Sequence, residues 1–125
     1  MQPATLLLRQ VNPNFLRHGH VLSIAFRPFP KDKGLLSVYD GDKIQPEPAW
    51  VHFTHMLHYA SAGVWAVTVK EAGAYDLPVA TMPLENFPEH AAIDFTAHDK
   101  KAHDSKAKQL AAKAEARGCL FLAPG

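Results

Sequence analysis

The sequence predicts an α+β fold, a mixed but mainly antiparallel sheet of five to six strands with two helices packed on it. Three observations predict it. Short apolar or alternating runs recur between residues 4 and 95, separated by breaks rich in Pro, Gly, Asn and Asp, as strands joined by turns are. The run Ala49–Tyr59 instead carries its large apolar residues at helical spacing. The stretch from Thr96 to Arg117 is rich in alanine and lysine and stops at Gly118, the composition and end signal of a longer helix.

The elements follow in order. Ala4–Val11, with three successive leucines, reads as a first strand ended by Asn12-Pro13-Asn14, where Pro fixes φ and Asn bonds locally. Val21–Arg27 alternates and reads as a second strand. Residues 29–34 have turn composition and Leu35–Tyr39 a further β run, so residues 21–39 are expected to form a hairpin with a long loop. Asp40-Gly41-Asp42 closes it. Pro46-Glu47-Pro48 suits the first turn of a helix over Ala49–Tyr59, whose stripe of Trp50, Phe53, Met56 or Leu57, and Ala60 would be buried. Ser61 and Gly63 stop that helix. Val64–Val69 is almost wholly apolar, as a central strand covered on both faces is. Lys70–Tyr75 reads as one helical turn or a loop, Pro78–Met82 as an edge strand, and Ala91–Phe95 as a half-buried strand. Thr96, with Asp99 three residues on, marks the start of the last helix, and Cys119–Leu122 a final short strand.

The bulk properties bound the function. A chain of 125 residues is the size of one domain, 1–125, and is long enough to bury a core without staples. No apolar run approaches the ~20 residues of a membrane span, and no secretory leader is recognisable. A single cysteine fits a reducing, cytoplasmic compartment. Six of the thirteen basic residues and three of the twelve acidic ones fall in 96–117, giving that segment +3 against −2 for the rest. Such a basic segment permits an anionic ligand or nucleic acid, but it lacks the interleaved aromatics on which single strands stack.

Five of the eight histidines fall in two clusters that invite chemistry. Arg17-His18-Gly19-His20 lies between the first two predicted strands, with Arg9 and Arg27 near it in sequence. Arginine presents a planar fork of donors to phosphate or carboxylate, and histidine moves protons near neutral pH. Arg9, Arg17, His18 and His20 are therefore the candidate catalytic set, suited to nucleotide or phosphodiester chemistry. His52, His55 and His58 fan across one broad face of the first helix, expected to be its solvent side. His52 and His55 are candidate binding residues and, in another reading, metal ligands, although their spacing is not that of a zinc helix. Lys100 and Lys101, with Lys106, Lys108, Lys113 and Arg117, are expected to project into solvent from the last helix as a binding face for an anion. Ser23 and Ser37 lie in predicted strands without a nucleophile elbow, Cys119 reads as a small buried hydrophobe, and no phosphate-cradling glycine loop occurs. No cofactor is specified.

With no catalytic signature, the chain reads as a small binding or accessory protein without catalytic activity. It would recognise a protein or nucleic-acid partner, as antitoxin, immunity and adaptor proteins do, with no membrane attachment. The aromatic Trp50–Phe53 region offers a face for a homo-dimer. The alternatives are the Arg/His enzyme and the His-ligated metal protein.

Overall fold

The computed structural model describes residues 1–125. Its centre is a six-stranded, wholly antiparallel sheet in the order β6-β7-β4-β1-β5-β8. The strands are β1 Leu6–Val11, β4 Leu35–Asp40, β5 Gly63–Thr68, β6 Val79–Thr81, β7 His90–Asp94 and β8 Phe121–Leu122. A two-stranded ribbon, β2 Leu16–Arg17 and β3 His20–Val21, stands apart from it. The helices are α1 Pro46–Val51, α2 Val69–Ala74 and α3 Lys100–Arg117. No helix is long and apolar enough to cross a membrane.

Alternation divides the sheet into two faces. One carries Leu7, Val11, Leu36, Val38, Trp65, Val67 and Ile93, and α3 lies over it with Ala107, Leu110, Ala111 and Ala114. Small residues let that helix approach the sheet closely. Leu8, Tyr39, Val64 and Ala66 occupy the other face, under α1 and its Ala49. Asp99 caps α3 by accepting from Ala102 N at 2.8 Å, and Gly118 (φ +97°) ends it. Thr68 and Glu71 make a reciprocal capping box at α2. Arg117 ties these parts together, with a two-pronged pair to Glu71 at 2.9 and 3.0 Å and a bond to the Ala66 carbonyl. Burial pushes the Glu71 carboxyl up, but its bonds from Arg117 and Thr68 outweigh that and hold it below the usual carboxylate value.

Several local expectations are corrected. Val21–Arg27 is not a strand, because Ser23–Phe26 forms a 3-10 turn. Ala25 and Phe26 are consecutive and both fully buried under α3, which a pleated strand cannot achieve on one face. The predicted hairpin is therefore absent, and β4 pairs with β1 and β7. The first helix starts at Pro46 and passes into a π turn, His52–Met56, closed by Leu57 N donating to the His52 carbonyl. His58, at φ +62°, then ends it. The extra residue in the turn rotates the predicted stripe, so Met56 is 68% exposed, and Ala60, beyond the helix end, is exposed as well. Thr96 does not cap α3, since its hydroxyl and N–H both serve Asp94. Cys119 is exposed, not buried.

Candidate functional site

β1 makes six pairs with β5 and β4 makes five with β7, but β1 and β4 pair only at Leu7↔Asp40 and Leu8↔Tyr39. Beyond those two pairs the central strands part. The opening is filled from the α3 side by Arg9, whose Nε donates to the Ala25 carbonyl at 2.7 Å and whose Nη1 donates to the Ser37 carbonyl at 2.9 Å. The 3-10 turn at 23–26 thus has a structural purpose, since it delivers the Ala25 carbonyl to the guanidinium.

A cleft in two lobes lies over this split. The first, about 310 Å³, has Leu8, Gln10 and Tyr39 in its wall and is flanked by Phe53, Leu57 and Tyr59 after α1 and by Leu84 and Phe87 before β7. The second, about 410 Å³, runs on past Asn12, Phe15, Phe29, Lys31 and Asp32. Both lobes are lined by Arg9, Gln10, Ser37, Phe53 and Tyr59, so the two are continuous. Each falls in the size range of ligand pockets, ~300–1,000 Å³. Met56, Leu57, Tyr59 and Leu84 are exposed apolar side chains, three of them in the cleft wall.

Three polar features stand out. Arg9 is half-buried, and loss of hydration lowers its pKa to about 10, partly offset by the charge of Asp32. No carboxylate forms an ion pair with it. Gln10 is 6% exposed; its Oε1 accepts from the Ser61 hydroxyl at 2.7 Å, while its Nε2 is sealed from solvent with no partner. Turning the amide over would satisfy the NH₂ only by leaving Oε1 bare, because Ser61 Oγ is also engaged with Gly63. Third, His90 Nδ1 donates to the Met82 carbonyl at 2.9 Å, which leaves Nε2 to accept from Ser37 Oγ at 3.2 Å. Beside them, Tyr39 Oη lies 2.7 Å from His52 Nδ1. Burial raises the Tyr39 pKa, aided by Glu89, so the phenol keeps its proton within this hydrogen bond. Phe87 packs on Tyr39, His52 and His90 with ring centroids 4.6–5.1 Å apart.

The structure separates the residues singled out from sequence. Of Arg9, Arg17, His18 and His20, only Arg9 lines the cleft. The other three belong to the exposed ribbon and line no cavity, and His20 Nδ1 pairs with Glu115 of α3 at 2.6 Å. Within the histidine fan, His52 turns inward to Tyr39 and Phe87, whereas His55 meets Trp50 edge to face. No group of three His, Cys, Asp or Glu side chains comes together that could hold a metal ion. Lys100 lines a separate cavity with Arg27 and His103, and Lys101 is exposed. Two of the basic side chains expected in solvent are anchored, Arg117 on Glu71 and Lys106 on the Tyr75 carbonyl. Gln10 and His90 are not among the residues singled out from sequence, and Ser37 is set aside there. The available signal was the Arg9-Gln10 pair interrupting an apolar strand, since a polar residue on each face of a central strand calls for a partner.

No known protein family, no curated protein and no solved structure matches the chain.

Proposed function

We propose that the protein is a non-catalytic binding protein that recognises a partner protein by taking its apolar side chains into the cleft over the β1–β4 split. The observation that carries this reading is the ring of exposed Leu57, Tyr59 and Leu84 around a preformed, aromatic-walled opening. Exposed apolar residues gathered at one cleft mark an interaction site, whereas the same residues scattered would mean little. The basic residues of α3 support nucleic-acid binding less well, because two of the six, Lys106 and Arg117, are spent on internal contacts.

The test is selection from random peptides displayed in both orientations, followed by amide chemical-shift mapping. The expected result is an apolar consensus whose binding perturbs Leu8, Tyr39 and Phe87 and is lost in Leu84→Glu. Absence of a consensus, or shifts confined to α3, overturns the reading.

One observation favours an enzyme instead, the Ser37–His90 contact with His90 oriented by a carbonyl. A serine-directed fluorophosphonate discriminates the two. The binding reading expects no labelling of Ser37 above that of a denatured control, and stoichiometric labelling abolished by His90→Gln would overturn it.

A further inference from the structure

We propose that the β1–β4 split is a carboxylate-recognition site, built to hold the free C-terminus of the partner polypeptide through Arg9 with Ser37 and Gln10 beside it. This rests on the binding reading above and names the chemistry at the polar end of the same cleft.

Three independent features converge on it. The first is the unpaired cation. Arg9 spends Nε and Nη1 on two carbonyls, while Nη2 has no protein partner. Gln10 Nε2 is the sole side-chain polar atom both sealed and unpartnered, so Nη2 remains reachable by solvent in a residue that lines both lobes. A guanidinium held in a low-dielectric wall without a counter-ion attracts an anion more strongly than an exposed one does. The charge of Asp32 acts on it, but Asp32 Oδ2 accepts from Phe29 N and it makes no ion pair with Arg9. Lys31 lines the same lobe and adds a second positive charge.

The second feature is the Gln10 amide, 94% buried and lining both lobes, which lacks a partner for one of its two polar atoms whichever way it is turned. Buried amides are rarely left so, and a site awaiting a ligand is one of the few settings that explains it.

The third is the backbone. Gly41 N donates to the Leu6 carbonyl, and Val11 and Thr5 accept from Ala62 and Val69 on the β5 side. The main-chain groups of even-numbered β1 residues therefore face β4. At Gln10 they look across the split toward β4 without a ladder partner. An extended chain end entering here meets strand backbone, as in peptide recognition by strand addition and carboxylate capture. Its last side chain would lie among Tyr39, Phe53 and Phe87. A free fatty or aryl acid would use the cation and the apolar wall but not the strand edge, which is why the chain end is the favoured occupant.

The experiment titrates isotopically labelled protein with pools of pentapeptides ending in Leu, Val or Phe, each made as the free acid and as the C-terminal amide, and with 4-phenylbutyrate. Arg9 Nε–H and the Gln10 side-chain amide are the reporters. The free-acid pool is expected to shift both reporters and to bind at least tenfold more tightly than the amide pool, with the preference lost in Arg9→Met and reduced in Arg9→Lys. The acid-against-amide comparison on the unmodified protein stands even where a variant fails to fold. Equal binding of acid and amide, with shifts confined to Leu57, Tyr59, Leu84 and Phe87, overturns carboxylate recognition and leaves the apolar cleft intact. Tighter binding of 4-phenylbutyrate than of any peptide acid overturns the chain end as occupant. Absence of binding by every probe overturns both readings.

Discussion

Replacing Gln10 with leucine is expected to stabilise the protein. The two side chains are close in volume, so the site is neither emptied nor overfilled. The change removes the hydrogen bond that Ser61 Oγ gives to Oε1 at 2.7 Å, worth about 1 kcal/mol net. Ser61 is not orphaned, because its hydroxyl still reaches the Gly63 carbonyl at 3.0 Å and accepts from Gly63 N at 3.2 Å. The change also removes the sealed, unpartnered Nε2, whose desolvation costs roughly 1–3 kcal/mol. The balance is a gain of about 1 kcal/mol, and at about 2.1 cal/mol/K per residue the melting temperature should rise by about 4 °C. Calorimetry with a urea titration measures it, an unchanged m-value confirming that the unfolded state is unaltered. Ser61→Ala, which strands both Oε1 and Gly63 N, should move the midpoint in the opposite direction. A fall of several degrees in Gln10→Leu would refute the reasoning, since it would mean that the amide has a partner in solution. The more stable variant is also expected to bind the free-acid peptides less well, a trade of function for stability at one side chain.

Glycine positions offer opposite outcomes from the same substitution. At Gly73, within α2, an added Cβ meets nothing within 4 Å, so Gly73→Ala should stabilise by about 0.5–1 kcal/mol through helix propensity. At Gly63 the Cβ would fall 2.4 Å from the Phe121 carbonyl oxygen, and Gly63→Ala should cost about 1–3 kcal/mol. Thermal unfolding of the two variants checks both signs. The Glu71 carboxyl, held below its unfolded value, contributes stability that is complete above the unfolded carboxylate pKa of about 4.3 and is lost as pH falls through its lower folded value. Glu71→Gln should therefore flatten the acid limb of a stability-against-pH curve below pH ~4.3, and an unchanged limb would remove the Arg117 pair from the account.

What was legible from sequence and what was not divides along physical lines. Val64–Val67 is apolar at every position, and only a strand covered on both faces accommodates that; β5 is such a strand. The alanine- and lysine-rich stretch ending at Gly118 is α3, with Ala107, Leu110, Ala111 and Ala114 as its buried residues. The 3-10 turn at Ser23–Phe26 was not legible, because its apolar residues suit a strand as well until Arg9 claims the Ala25 carbonyl. The cleft was still less so. It depends on β1 and β4 parting after two pairs, and strand divergence has no local signature. Arg9 could be named as a candidate from its chemistry, but its neighbours in the first proposed set were neighbours in sequence only. Ser37 was set aside for lacking an elbow, a criterion blind to a histidine fifty-three positions away.

The last strand has a consequence out of proportion to its length. β5 is a strongly apolar strand, and on the side away from β1 its backbone is covered by the short segment around Phe121 and Leu122 of β8 and, at the Ala66 carbonyl, by Arg117. An uncovered, six-residue edge of that composition is a template for intermolecular pairing. β8 is too short to recruit a further strand itself, so this short segment and the Arg117 side chain convert an aggregation-prone border into a blunt one. Their value to the protein lies less in the bonds they add than in the association they forestall.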